Sequence, residues 1–362
     1  MSGSVPNGLD RLISVDSHYQ CTVDALKERT SAKFHDAIDH ANRLVEAPKR
    51  AAVHLRGLPP VGLGSYLHEA ARNPGYFDPV ARLAAMDDDG VDVEILFSDL
   101  SSFRIFYKML DGWKETARAF NDFSSDFAAA DPDRLLVAYQ LPLREIDHAV
   151  AELDRLVSDH GARTIHLPTS PNECGLPEYF DPRYDPLWAR LQEMKIPVCI
   201  HLGVSDATWE IAARDPTPQM GVFTSQQPLR LAEQLGMLLL SGLFERFPDL
   251  QFVLVEPGLA WVPWYLNTLD SMTTHGYEFP ALKDKPSAYF HRNISLTFMD
   301  ERRGVEMRHE IGVDRIMWST DFPHPACTWP NSRKVVADLM AGVPDDEAHK
   351  MVYGNAKRIF NV

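Results

Sequence analysis

Eight short, unbroken apolar runs recur along the chain at 12–17, 91–97, 135–140, 163–167, 197–201, 251–256, 293–297 and 315–319. Most are continuous Val/Ile/Leu stretches rather than strict alternations, the pattern of parallel strands covered on both faces. Between them lie amphipathic, helix-like stretches at 114–130, 143–160, 186–195, 229–247 and 303–312, several of them starting at a cap or Pro and ending near Gly or Pro. Strands alternating with helices define an α/β class, and eight of them predict a (β/α)8 TIM barrel. A doubly wound open sheet with an extra domain is the competing architecture. It is disfavoured because no glycine-rich phosphate loop follows the first run. A chain of 362 residues fits one such barrel, so a single domain over 1–362 is expected.

The spacing is uneven. Residues 19–90 separate the first two runs, far more than one strand-to-helix loop requires. This insertion carries Pro59-Pro60, a helical stretch at 30–45, and His35, His40, His54 and His68. It is expected over the carboxyl ends of the strands, where barrel enzymes build their sites. It then serves as a lid or pocket wall, or alternatively as a surface or dimer-contact excursion.

Composition narrows the function classes. A net charge of −15 repels phosphate backbones, so nucleic acid is not an expected partner. Four Cys in this length give no disulfide framework and fit a reducing cytoplasm. Apolar runs such as Val253-Leu254-Val255 are far shorter than a membrane span, and residues 1–10 lack a basic-then-apolar leader. A small-molecule substrate, a cytoplasmic location and a homodimer or higher homo-oligomer are the expectations. The chain also holds 14 His, many for an acidic protein.

Several strand ends carry ionisable groups. The first run closes as Asp16-Ser17-His18, whose Asp and His share one strand face. The fifth ends at His201, the sixth at Glu256-Pro257-Gly258, and the eighth continues into Thr320-Asp321-Phe322-Pro323-His324. Singly, each is an ordinary cap, turn former or buried histidine. Together they place two His and two or three carboxylates at one barrel mouth. Burying that much charge without a cation is costly, and the residue types are ligands for Zn²⁺, Mn²⁺ or Fe²⁺.

With these residues in view, the chain resembles the amidohydrolase superfamily, in the amidohydrolase-related branch that includes aminocarboxymuconate-semialdehyde decarboxylase. The matching segments are 13–18, 200–203, 244–250, 256–263, 318–330 and 353–360. The resemblance implies that Asp16, His18, His201 and Asp321 hold one divalent transition metal, Zn first and Mn or Fe as alternatives. It also implies Asp321 as general base. Glu256 and His324 join Asp321 as candidate catalytic groups, His324 as a proton shuttle. His166, on the fourth run, is a candidate substrate-binding residue. Relatives often carry a metal-bridging Lys on that strand, and its absence here favours a mononuclear site. A second metal on Glu256 and His324 is the alternative.

A divalent ion of this kind lowers the pKa of bound water and polarises substrate oxygens. The first expectation is hydrolysis of a small amide, ester or lactone. The alternative is non-oxidative decarboxylation of a small carboxylic acid, aromatic acids included, toward which the carboxylate Asp16 leans. An iron-dependent oxygenase on the same scaffold is the third reading.

Overall fold

The computed structural model describes residues 9–56, 69–99, 102–203, 206–217 and 220–362. Pro59-Pro60, His68 and the side chain of His54 lie outside the described residues. Among the described residues nine strands form: β1 (Ile13–Tyr19), β2 (Val93–Ser98), β3 (Leu135–Val137), β4 (Tyr139–Gln140), β5 (Ile165–Leu167), β6 (Val198–His201), β7 (Phe252–Val255), β8 (Ile294–Phe298) and β9 (Ile316–Trp318). Every pairing is parallel, in the orders β1-β2-β3 and β4 through β9. Every strand residue is buried, as the unbroken apolar runs required.

The expected third strand, 135–140, is two strands. Leu135–Val137 pairs with β2, and Tyr139–Gln140 turns to β5. The side chain of Asn121 explains the break. Its Oδ1 accepts from the Gln140 backbone N–H at 3.1 Å and its Nδ2 donates to the Gln140 carbonyl at 2.9 Å, occupying groups that a ladder would otherwise use. With β3 and β4 as one stave there are eight staves. The last meets the first beyond β9: Asp321 N–H donates to Asp16 O at 2.9 Å, and His18 N–H to Phe322 O at 2.6 Å. The architecture is the expected (β/α)8 barrel.

Two predicted helices also differ. The 229–247 stretch is a helix Gly221–Leu240 and a short one, Leu243–Arg246. Gly242, at φ 76°, turns the chain between them, a conformation that favours glycine. The 303–312 stretch divides at Met307 into Arg302–Glu306 and Arg308–Ile311.

Two features tie the fold to the mouth. In β1 the register slips between Ser14 and Ser17. There the Ser14, Ser17 and Thr320 hydroxyls bond one another at 3.0–3.2 Å, and Ser14 donates to the Asp16 carbonyl. Such a bulge re-aims the side chains beside it, here Asp16 and His18. The second feature is Arg82, fully buried in the helix Pro79–Asp89 of the 19–90 segment. It donates to Gly75 O at 2.9 Å, to Glu94 Oε2 at 3.0 Å and to the carbonyl of His18. The end of the insertion is therefore wired to the strand that carries Asp16 and His18. Its helices Val23–Glu28 and His35–Arg56 pack with Cys21, Leu26, Ile38 and Phe120 in a separate apolar cluster. All four cysteines are free. Among the described residues no helix is long and apolar enough to cross a membrane.

Candidate metal centre

The strand ends converge. Asp16, at the β1 bulge, is fully buried, and its Oδ1 lies 3.1 Å from His201 Nε2 and 3.3 Å from His18 Nε2. His18 Nε2 is also 3.1 Å from Asp321 Oδ1. Among the described residues two sets could hold an ion, Asp16–His18–His201 and His18–Asp321–His324, and they share His18. Of the residues expected at the mouth, Asp16, His18, His201, Asp321 and His324 come together. Glu256 enters neither set.

The donor chemistry fits a cation. The His201 Nδ1–H donates to the Leu202 carbonyl at 2.6 Å, because a carbonyl can only accept. A neutral His201 therefore turns its Nε2 lone pair toward the Asp16 carboxylate, acceptor against acceptor. A positive charge between them resolves the clash. Asp16 Oδ2, Asp321 Oδ1 and both His18 ring nitrogens are buried without an aligned hydrogen-bond partner, although His18 touches carboxylates at 2.9–3.3 Å. Atoms that crowd without bonding one another are arranged as ligands are around a common ion.

Electrostatics separate the carboxyl groups. Burial works to raise Asp16, but His201 and His18 hold it well below the carboxylate range. Burial and then the Asp321 charge push Glu256 up to about 8. Glu256 is half-buried, and its backbone N–H donates to Thr297 Oγ1 at 2.7 Å. Glu256 and Asp321 both sit at left-handed φ, 63° and 59°. That is costly for residues other than glycine and recurs at functional sites.

His324 lies between two carboxylates, with Nδ1 2.8 Å from Asp321 Oδ1 and Nε2 2.9 Å from Asp99 Oδ2. Burial opposes its protonation, but Asp99 and Asp321 raise it to about 10. His166 points into the barrel beside Phe97, at 5.4 Å between ring centroids, and His201, at 6.1 Å. Burial, His201 and His18 push it down to about 3, so it is neutral. Cys21 packs in the insertion's apolar cluster with its thiol pushed up to about 12 by burial.

Two residues at the mouth went unread in the sequence. Asp99 directly follows β2 and contacts His18, His324 and the Tyr76 hydroxyl. Gln140 ends β4 with both amide atoms buried and unpaired. Its neighbour Tyr139 reaches outward to Ser125, so alternation turns Gln140 into the barrel, in register with His166. Both residues stop an apolar run, the signal that marked the other ends.

A closed parallel barrel with a buried histidine–carboxylate cluster at its strand ends defines a metal-dependent enzyme. Residues 24–362 match the family model described as Amidohydrolase, and the chain belongs to that family. Its catalytic class is that of a metal-dependent hydrolase or decarboxylase. It is 28% identical over 303 residues to the gamma-resorcylate decarboxylase of Polaromonas sp. (strain JS666 / ATCC BAA-500), covering 78% of this chain and 86% of that one. The Rhizobium sp. (strain MTP-10005) protein of the same description is 27% identical over 305 residues, with the same coverage. Among solved structures, an amidohydrolase of Mycobacterium avium subsp. paratuberculosis K-10 superposes with a TM-score of 0.74 at 21% identity, covering 97% and 99% of the two chains. The 5-carboxyvanillate decarboxylase of Novosphingobium aromaticivorans, complexed with manganese and 4-hydroxy-3-methoxy-5-nitrobenzoic acid, gives 0.69 at 20% identity, covering 98% and 97%.

Proposed function

We propose that the chain is a non-oxidative, metal-dependent decarboxylase of a small aromatic acid with an oxygen next to its carboxylate. The relatives are decarboxylases, and the Novosphingobium neighbour holds manganese with a nitro analogue of a hydroxybenzoate. Hydrolysis of an amide, ester or lactone, the first expectation from the sequence, has no specific support from them. Nor does iron-dependent oxygenation: none of the proteins just described is named an oxygenase.

Asp16, His18, His201 and Asp321 would hold the ion, with manganese first and zinc or iron as alternatives. When bound, a divalent ion would supply Lewis-acid polarisation of the acid's oxygens. The rest falls to the chain. Phe97 lies 5.0 Å from the His201 ring and 5.4 Å from His166, an apolar wall for an aromatic substrate. Decarboxylation breaks the bond from ring carbon to carboxyl carbon, releases CO2 and leaves the electron pair on the ring carbon, which must gain one proton. The observation that carries this reading is the His324–Asp321 pair beside the cluster, Nδ1 2.8 Å from Oδ1, from which a proton can be drawn. His324, held protonated by its two carboxylates, supplies that proton, and Asp321, an anion at rest, relays it to the carbon. The insertion, tied to the mouth through Tyr76 and Arg82, walls the substrate from water.

The test is to incubate manganese-loaded protein with 2,6-dihydroxybenzoate and 5-carboxyvanillate, follow CO2 release, and run amide, ester and lactone substrates in parallel. Metal-dependent CO2 release from a hydroxybenzoate is expected. Hydrolysis of the second set with no CO2 from the first would overturn the reading.

A further inference from the structure

We infer that Asp99 is a positioning residue that sets which nitrogen of His18 faces the ion and locks His324 to the same carboxylate. The inference rests on the metal reading of the cluster.

Three carboxylates surround His18. Asp16 and Asp321 stand at Nε2, at 3.3 and 3.1 Å, and both belong to the candidate ion sets. Asp99 stands at the opposite nitrogen, its Oδ1 2.9 Å from Nδ1 in a contact bent away from a straight hydrogen bond. A neutral imidazole carries one N–H. With the Nε2 lone pair turned to an ion, that hydrogen must sit on Nδ1, where Asp99 Oδ1 is the acceptor. An orienting carboxylate of this kind fixes the tautomer and raises ligand basicity.

The second oxygen of Asp99 is also used. Oδ2 is 2.9 Å from His324 Nε2 in an aligned hydrogen bond and accepts from the Tyr76 hydroxyl. One nearly buried carboxylate thus sets two histidines whose rings stack at 4.0 Å, and a tyrosine from the 19–90 segment holds it in place. Asp99 is not counted among the ion's ligands, because its oxygen faces the far side of the His18 ring.

The experiment measures manganese affinity by competition with a chelator, and the His18 tautomer by ¹⁵N NMR of histidine-labelled, metal-free protein at a pH high enough to leave His18 neutral. Neither readout needs substrate, so failure of the decarboxylase reading leaves both intact. In the Asp99→Asn variant, affinity should fall about 10–100-fold. His18 should shift from the Nδ1–H tautomer toward Nε2–H. Affinity within twofold of the parent, with the tautomer unchanged, would overturn the inference. Should the variant not fold, the parent spectrum decides: Nδ1–H at His18, assigned with His18→Gln, supports the role, and Nε2–H overturns it. A parent protein that takes up no manganese would remove the metal reading and this inference with it.

Discussion

The His324 ring stacks on the His18 ring, with centroids 4.0 Å apart and planes 24° from parallel. One ring belongs to the proposed ligand set. The other, pinned between Asp99 and Asp321, is the proposed proton donor beside it. The two roles can be separated by mutation. His324→Asn keeps a polar side chain but cannot hold the proton. CO2 release should drop about 10²–10⁴-fold in kcat, the range for loss of general acid catalysis, with manganese content unchanged by metal analysis. Undiminished turnover would place the proton source elsewhere.

Glu256 gives a pH prediction. Burial and Asp321 raise its carboxyl to about 8, above the ordinary value, so it is neutral at pH 7 and becomes an anion as the pH passes 8. The proposed substrate is itself an anion, and a new negative charge at the mouth repels it. kcat/KM should therefore fall on the alkaline side of about pH 8. Glu256→Gln, which cannot ionise, should lose that limb and keep activity at pH 7. An unchanged limb in the variant assigns it to another group.

Much of the site was legible because the signal is local. Asp16, His18, His201 and Asp321 each stand where an apolar run stops, and a strand's end fixes where its side chain goes. Asp99 and Gln140 obeyed the same rule but were not read that way. The split of 135–140 was not legible, since it depends on Asn121 arriving from the helix Trp113–Ala128. Nor was Arg82, whose partners His18, Gly75 and Glu94 lie on separate elements. Local spacing reports strands and their ends. It does not report side chains that reach between elements.

Arg82 and Glu94 pair at 3.0 Å with exposures of 0% and 2%. Removing one partner leaves a buried charge uncompensated, which costs about 3–5 kcal/mol. Arg82→Met should lose stability of that order in urea unfolding. Replacing both, as Arg82→Met with Glu94→Leu, should recover part of it, although the lost bond to the His18 carbonyl remains. A double variant as weak as the single one would show that the carbonyl contacts of Arg82, rather than the ion pair, hold the segment to β1.

Gln140 has an amide donor and acceptor unspent inside the barrel, next to His166. A polar substituent on the bound acid is the natural partner for it. Gln140→Leu should raise KM with little change in kcat, because the contact exists equally before and during bond cleavage. The expected loss is about 1–3 kcal/mol in kcat/KM, the cost of an unmade buried hydrogen bond. Equal kinetics would mean that Gln140 bonds to ordered water instead.

Metal removal supplies a test independent of substrate. Burial opposes protonation of His18 and His201. Asp99, Asp16 and Asp321 outweigh it at His18, and Asp16 outweighs it at His201, so both pKa values lie above the ordinary histidine value. An ion must therefore displace protons, and its affinity rises with pH. At an ion concentration 100-fold above Kd the folded state gains about 2.7 kcal/mol. Thermal melts with a fixed excess of manganese should show a larger upward shift at pH 8 than at pH 6. Asp321→Ala should remove most of it at both. A shift that is equal at the two pH values, or that survives in Asp321→Ala, would place the ion away from this cluster.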